Sequence, residues 1–417
     1  MRTRDRRAVR CIYCQSLNTV KNGSRTITAM GFGRGTSARV SRYRCEACGR
    51  FFSQRREKGQ RYTVGFKLEL ARMHVEERMS YRVMAKRIDE RFGQRMHPRV
   101  LCDMVNEVAA HAKGSLAMWQ EFRPQWSGYL LLDDKYVSIR GTRVMSLVAA
   151  DKTGDALHSE ILVRPEQGEF TNFVRFIVER LEYPLKGLTT DFDERFGRAL
   201  EALNLGAILH QRCVWHGLQT VQRMLNHVIL RQRYGQLKHR LKREKEKLED
   251  RKRYPDTSEL ERIAAEFAAV EQQYLRQCEL LKNLKDILYE PQSSSSREMF
   301  AAFRKFYRRQ YPQVVAWLEG NLELMLVHQL DVNIPMTSNI AENLNKQMER
   351  RFKTIEAFQS VDTAWNYQTL IRNYLRFKPY TDCRDERKIY NGKSPLEVCG
   401  VVLETRDWVR LGTLWDS

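Results

Sequence analysis

Four cysteines are spaced as two C-x-x-C turns, Cys11 and Cys14 in "CIYC" and Cys45 and Cys48 in "CEAC", with 30 residues between the pairs. Each turn offers two thiolates from one tight loop, and two turns can close a tetrahedron of sulfur around Zn²⁺ at about 2.3 Å. Four protein ligands leave no open position, so the implied ion is structural rather than catalytic. A second set of residues could do chemistry of a different kind. Asp133 follows the apolar run "YLLL", Asp191 follows "GLTT", and Glu342 lies in "TSNIAENLNKQMERR". Carboxylates brought together repel unless a cation sits between them, which makes them ligands for hard ions such as Mg²⁺ or Mn²⁺. Two such ions about 3.5–4 Å apart can activate a water or a 3′-hydroxyl and stabilise the leaving oxygen at a phosphodiester.

The elements that must position these acids can be read from the periodicity. "GYLLLDDKYVSIRG", "RVMSLVAADKTGD" and "ALHSEILV" are three strands at hairpin spacing. "EFTNFVRFIVERLE" has the apolar spacing of a helix, "LKGLTTDFDERFG" is a short strand running into acids, "GRALEALN" is a further helix, and "GAILHQRCVWH" is a fifth strand. The order strand-strand-strand-helix-strand-helix-strand is that of a ribonuclease H-like fold, a mixed sheet flanked by helices. In that fold the first and fourth strands are neighbours, so Asp133 and Asp191, each placed at a strand end, would face one another, with Glu342 supplied by a later helix.

The N-terminal part is set apart by charge. The chain has 417 residues and a net charge of +21, and residues 1–60 hold 15 Lys and Arg against 3 Asp and Glu. So concentrated an excess points to a polyanion, most simply double-stranded DNA. The intervening residues suit the β-hairpin of a zinc ribbon, and Arg34, Arg39, Arg42, Arg44, Arg55 and Arg56 are its candidate phosphate contacts. Three amphipathic helices follow, with Ser80 as an N-cap, Gly93 as a stop and Pro98 near the start of the third. They read as a helix-turn-helix in which the third helix, with Arg95, His97 and Arg99 at its start, meets DNA. The odd number of cysteines, nine, argues for a reducing compartment with a metal site rather than for a disulfide framework. No apolar run approaches the length of a membrane helix, and the basic N-terminus has no apolar segment behind it; the expected location is cytoplasmic.

The ordered set "LDDKYVSIRG", "TTDFDERFGRAL", "HQRCVWH", "TSNIAENLNKQMERR" and "NGKSPLEV" resembles bacterial insertion-sequence transposases with a DDE catalytic domain, of the Mutator-like group. The resemblance covers most of the chain, and a zinc ribbon followed by a helix-turn-helix is familiar at the N-termini of such proteins. It implies that Asp133, Asp191 and Glu342 are the catalytic triad and the ligands of Mg²⁺ or Mn²⁺. The implied activity is cleavage and strand transfer at terminal inverted repeats by a homodimer or higher oligomer. Each acid has a competitor: Asp134, Asp193 and Glu349. The family pattern D-x-x-Y favours Asp133, followed by Tyr136, and N-x-x-E-x-x-N favours Glu342, between Asn339 and Asn345; Asp133 against Asp134 stays open. A ribonuclease H-like nuclease or resolvase that does not join strands, and an inert transposase-derived regulator, are the alternative readings.

Cys213 and His216 form a C-x-x-H that the resemblance places beside the active site, and a second zinc there is not expected because no partner pair lies nearby. Between Asp191 and Glu342 the chain turns helical and basic, then is broken at "EPQSSSSRE", as an all-α insertion. Arg350, Arg351 and Lys353 flank the Glu342 helix as candidate DNA contacts. The expected architecture is multidomain α+β. It comprises a ribbon over 1–58, a helix-turn-helix over 59–122, a catalytic core over 123–217, the insertion over 218–332, and the rest of the core with C-terminal helices over 333–417.

Overall fold

The computed structural model describes residues 9–11, 13–31, 35–53, 62–250, 257–355, 358 and 360–415, without the side chains of 25, 27–29, 35–40, 249 and 250. Strands β1 (Thr19–Met30) and β2 (Gly35–Cys45) pair antiparallel, and β3 (Phe51–Ser53) adds to β2. The hairpin joins two cysteine turns that are built alike. Gln15 N–H donates to Cys11 O at 2.9 Å and Gly49 N–H to Cys45 O at 2.8 Å. Gln15 and Gly49 both have positive φ, 60° and 70°, the conformation that turns the chain back after each pair.

Three helices follow, α1 (Val64–Val75), α2 (Tyr81–Phe92) and α3 (Pro98–Ala110). The Ser80 side chain caps α2 by accepting from Val83 N–H, Gly93 ends it with φ 61°, and Pro98 opens α3, whose missing N–H is one a helix start cannot use. The short α4 (Ser115–Phe122) leads into a five-stranded sheet.

That sheet contains β4 (Tyr129–Ile139), β5 (Thr142–Asp151) and β6 (His158–Leu162); after α5 (Gln167–Arg175) and a π-helical turn to Arg180 come β7 (Gly187–Thr190), α6 (Glu194–Ala202) and β8 (Leu209–Arg212). The spatial order is β6-β5-β4-β7-β8, antiparallel on the β5 side of β4 and parallel on the β7 side. Alternation along the strands separates two cores. Leu130, Leu132, Met145 and Leu147 pack toward α5 and α6. Leu131, Val144 and Val148 share a core with α1 and α3 and with two later helices, Asn339–Phe352 and Val361–Phe377.

From β8 the chain enters α7 (Val214–Met224), α8 (His227–Asp250), α9 (Ser258–Tyr289), α10 (Ser293–Tyr307) and α11 (Pro312–Met325). Arg233–Glu266 and Arg240–Glu259 pairs tie α8 to α9. Leu218, Leu284, Phe303 and Leu318 anchor a third core. The break expected at "EPQSSSSRE" falls on its first three residues, Glu290–Gln292 between α9 and α10, and the serine run itself is helical. Ser293–Ser296 are the first turn of α10, and Ser296 is buried, its hydroxyl donating to Gln292 O. Helices α12 (Asn339–Phe352) and α13 (Val361–Phe377) return to the sheet, followed by a 3₁₀ turn (Asp385–Tyr390), α14 (Pro395–Val398) and α15 (Trp408–Leu411). Tyr367, Tyr374 and Phe377 of α13 are core, as core packing of the tail aromatics requires. Among the described residues, no helix is long and apolar enough to cross a membrane.

Candidate active site and metal centre

The four N-terminal cysteines converge: their Sγ atoms all lie within 4.8 Å of one another. Cys11 to Cys48 is 3.7 Å and Cys14 to Cys45 is 3.5 Å. A tetrahedron with metal–sulfur distances of about 2.3 Å has edges of about 3.8 Å, so the donor set and its spacing fit Zn²⁺. Around it the core is small, with Cys11, Cys45 and Phe52 buried against Val9 and Tyr43.

Asp133 is the fifth residue of β4, not its end as the sequence reading had it. The strand continues because β5 still pairs with it, Asp133 opposite Val148. The parallel ladder to β7 stops earlier, at Leu131 opposite Thr189. Continuing that register sets Asp133 beside Asp191, which directly follows β7. The Asp133 side chain is 6% exposed and shares the sheet face of Leu131 and Val148, against which α12 packs. There Asn345 Nδ2 donates to Asp133 Oδ2 at 2.6 Å. Burial pushes the Asp133 carboxyl up to about 6; the Asn345 bond and His216 oppose the rise, and the Asp191 and Glu342 carboxylates add to it. The carboxylates at the β7 end and on α12 therefore both act on Asp133, while among the described residues the one group of His, Cys, Asp or Glu gathered closely enough to hold a metal ion is the cysteine cluster.

The competing acids have other employments. Asp134 points to the opposite sheet face, that of Leu132, and is pushed up to about 7 by burial and then by Asp191, Asp133 and Asp193. Asp193 caps α6, accepting from Arg195 N–H at 2.9 Å and from the Arg195 guanidinium. Burial raises its carboxyl, but Arg195 more than reverses this and holds it below the usual range. Glu349 is held low by Lys135, with which it forms an ion pair, against burial and together with Lys353 at 3.1 Å. Glu342 forms an ion pair with its helical neighbour Lys346, at 2.8 Å.

Cys213 and His216 stand at the same pole. Cys213 N–H donates to Thr190 O at 2.7 Å, continuing the β7–β8 ladder, and its sulfur accepts from Ser338 N–H at 3.3 Å. The Cys213 thiol, outweighing burial, pushes His216 up to about 9, with Asp133 and Asp191 acting in the same direction. Cys213 and the two carboxylates thus all favour the protonated His216 imidazole. Its Nδ1 is buried without a hydrogen-bond partner among the described residues. Arg212, which sequence reasoning missed, donates from one guanidinium nitrogen to Thr190 Oγ1, Asp191 O and Asp193 O at 2.9–3.0 Å, fixing the loop that carries Asp191. Its position directly before the C-x-x-H was the available signal.

The remaining sequence-predicted contacts are scattered. Arg34, Arg55 and Arg56 lie outside the described residues, as does the Arg39 side chain. Arg42 is exposed with its guanidinium 4.7 Å over the Phe51 ring, and Arg44 is exposed, 3.9 Å from Glu46. Arg95 and Arg99 are exposed; His97 is the N-cap of α3, its Nδ1 accepting from Arg99 N–H at 3.2 Å. Arg350 and Lys353 are exposed on α12 and just after it. Arg351 is instead buried: it donates to Val75 O and Gln347 O, at 2.7 and 2.9 Å, and stacks over Tyr374.

Residues 260–374, from the start of α9 almost to the end of α13, match the family described as "Transposase, Mutator family". Over this segment the chain is Mutator-like. The Mutator-family match takes in "TSNIAENLNKQMERR", with Glu342 and Asn345 on α12; "LDDKYVSIRG", "TTDFDERFGRAL", "HQRCVWH" and the cysteine cluster lie before it, and "NGKSPLEV" lies after it. No curated protein matches the chain.

Proposed function

We propose that the protein is a DNA transposase whose five-stranded sheet belongs to a ribonuclease H-like domain, with Asp133, Asp191 and Glu342 as its catalytic carboxylates. The observation that carries this reading is the buried Asp133, whose carboxyl is raised by burial and then by Asp191 and Glu342, with Glu342 inside the Mutator-family segment. Mutually repelling carboxylates of this kind fit Mg²⁺ or Mn²⁺, which when bound would stabilise charge on the phosphoryl oxygens and lower the pKa of the attacking water or hydroxyl. The chain's own part is to hold the acids in place. Asn345 fixes one oxygen of Asp133, Arg212 clamps the Asp191 loop, and the His216 imidazole, whose protonated form the two aspartates favour, stands beside them. Hydrolysis at a transposon end frees a 3′-hydroxyl and leaves a 5′-phosphate. Attack of that 3′-hydroxyl on a target phosphodiester forms the new bond and releases a target 3′-hydroxyl.

The zinc ribbon and the unit α1–α3, read as a helix-turn-helix, would bind the terminal inverted repeats, and an oligomer would pair the two ends. The test is strand transfer by the purified protein with Mg²⁺ and end-containing DNA. Asp133→Ala and Glu342→Ala should each abolish product, and full activity in either variant would refute the triad. Cleavage without joining would make the protein a nuclease or resolvase. DNA binding without cleavage would make it a regulator.

A further inference from the structure

Helix α12 has two working faces. Asn345 and Glu342 look toward Asp133; at about 100° per residue, Asn339, Asn343 and Gln347 run in a second column, displaced on average by about 130° around the helix. That column lines a pocket of about 260 Å³, closed on its other side by Lys378, Tyr380 and Arg387, with Asp382 at its rim. The far wall is built in. Tyr380 Oη and an Arg387 guanidinium nitrogen both donate to Thr153 O, at 2.9 and 3.0 Å, in the turn between β5 and β6. Gly154 in that turn has φ +104°, and a Cβ there would stand 2.0 Å from the Tyr380 hydroxyl, so the wall needs a glycine. The Arg387 guanidinium lies 5.5 and 5.6 Å from the Tyr380 and Tyr390 ring centroids, and its Nε is buried with no hydrogen-bond partner among the described residues.

The lining is rich in polar groups that nothing else in the fold uses. The Asn339, Asn343 and Gln347 amides and the Lys378 ammonium make no hydrogen bond to another described residue. The surroundings carry an excess of positive charge: burial, then Arg351 and Arg78, hold Lys378 below its usual value, with Asp382 and Glu76 opposing less strongly. A cationic wall facing a column of amides matches a nucleotide, with phosphate on the cations and the donors and acceptors of a base edge on the amides.

We infer that this pocket binds one nucleotide unit of a DNA strand, making α12 a divider between the catalytic carboxylates and a second strand contact. The inference rests on the transposase reading for its choice of DNA. Its test uses the full-length zinc-loaded protein and measures affinity for single-stranded and duplex oligonucleotides over a range of salt concentrations. Lys378→Gln, a change at an exposed position, should reduce the slope of log K against log salt by about 0.7 on single strands or about 0.9 on duplex, the contribution of one phosphate. Asn343→Asp, which sets a carboxylate in the pocket, should weaken binding about tenfold. Wild-type slope in the first variant, or wild-type affinity in the second, overturns the proposal. Glu342→Gln separates the two readings, since it should lose cleavage and keep both binding properties. If the pocket variants behave as expected while the wild type cuts nothing, the transposase reading falls and the pocket stands. If the wild type cuts and joins while the pocket variants bind normally, the reverse holds.

Discussion

Asn345 on α12 and Asp133 on β4, 212 residues apart in the chain, are joined by a single 2.6 Å hydrogen bond inside the core. That bond couples the helix that carries Glu342 to the strand that carries the first acid. It also settles which of two adjacent aspartates faces the helix. Asp133 lies on the α12 side of the sheet, whereas Asp134 lies on the side of α6, near Arg195.

Asn345→Ala should therefore act on Asp133 and not on the fold alone. Partners of this kind, one step out from metal-binding carboxylates, cost about 10–100-fold in metal affinity or activity when removed. Strand transfer should fall by that factor and recover in part at higher Mg²⁺, because Asp133 is misplaced and not absent. Asn345→Asp, which adds a fourth carboxylate, should be worse than Asn345→Ala. Equal activity of both variants with the wild type would show the bond to be incidental.

The parts of this arrangement that were legible in the sequence are those encoded locally. Ser80, Gly93 and Pro98 mark helix ends by their own backbone chemistry, and the apolar runs before Asp133 and Asp191 mark strands. The four cysteines announce their cluster by spacing. What was not legible depends on partners far along the chain. Arg351 follows Arg350 and reads as a solvent-facing cation; only the packing of α1 and α13 against α12 buries it on the Val75 carbonyl. Arg212 gains its role from a loop 20 residues upstream. The break at "EPQSSSSRE" was legible, but not that its serines already belong to the following helix, where the buried Ser296 hydroxyl bonds back to Gln292 O.

The ribbon should depend on its metal in a way the rest of the chain does not. With Cys11, Cys45 and Phe52 as its buried core, it has too little apolar surface to fold unaided. Structural zinc in finger-sized domains is worth about 10–16 kcal/mol of apparent binding energy. Chelation of Zn²⁺, or Cys48→Ser, should abolish amide protection across β1–β3 while leaving α12, α13 and the five-stranded sheet protected. Persistence of ribbon protection without metal would contradict the assignment.

His74 should make the α1–α3 unit acid-sensitive. It is 2% exposed, its Nδ1 donates to Met79 O at 2.7 Å, and its Nε2 has no hydrogen-bond partner among the described residues. The ring stacks on Tyr81 at 4.3 Å and meets Tyr367 edge-on. Burial holds its pKa down at about 4, against the pull of the Met79 bond. Its folded value lies below the unfolded one of about 6.5, so the unfolded state binds the extra proton. Stability from this group is complete above pH 6.5, falls as the pH drops toward 4, and levels off below that, a loss of about 3 kcal/mol. Hydrogen exchange of the α1–α3 amides as a function of pH should show this slope, and His74→Gln should flatten it by that amount. An unchanged slope in the variant would assign the acid sensitivity to other groups.

Asp155 should be among the most costly residues to alter outside the site. It is fully buried and accepts from Arg376 Nε and a second guanidinium nitrogen, at 2.7 and 2.8 Å, and from Trp126 Nε1 at 2.8 Å. Arg376 is likewise buried, and so is Arg372, one helical turn earlier on α13. Burial and then Arg376 push Arg372 down to about 9, while Asp155 pulls it up, so one carboxylate serves two buried cations. Removing one member of a buried pair leaves an uncompensated charge and costs about 3–5 kcal/mol. Asp155→Ala should destabilise the sheet by that amount or more in denaturant unfolding, and Asp155→Asn, which keeps a hydrogen-bond acceptor but no charge, should fall between it and the wild type. The double variant Asp155→Ala, Arg376→Met removes the stranded charge along with its partner. It should recover part of the loss, and a double variant no more stable than Asp155→Ala alone would show that the damage lies in the lost Trp126 bond and packing, not in the buried guanidinium.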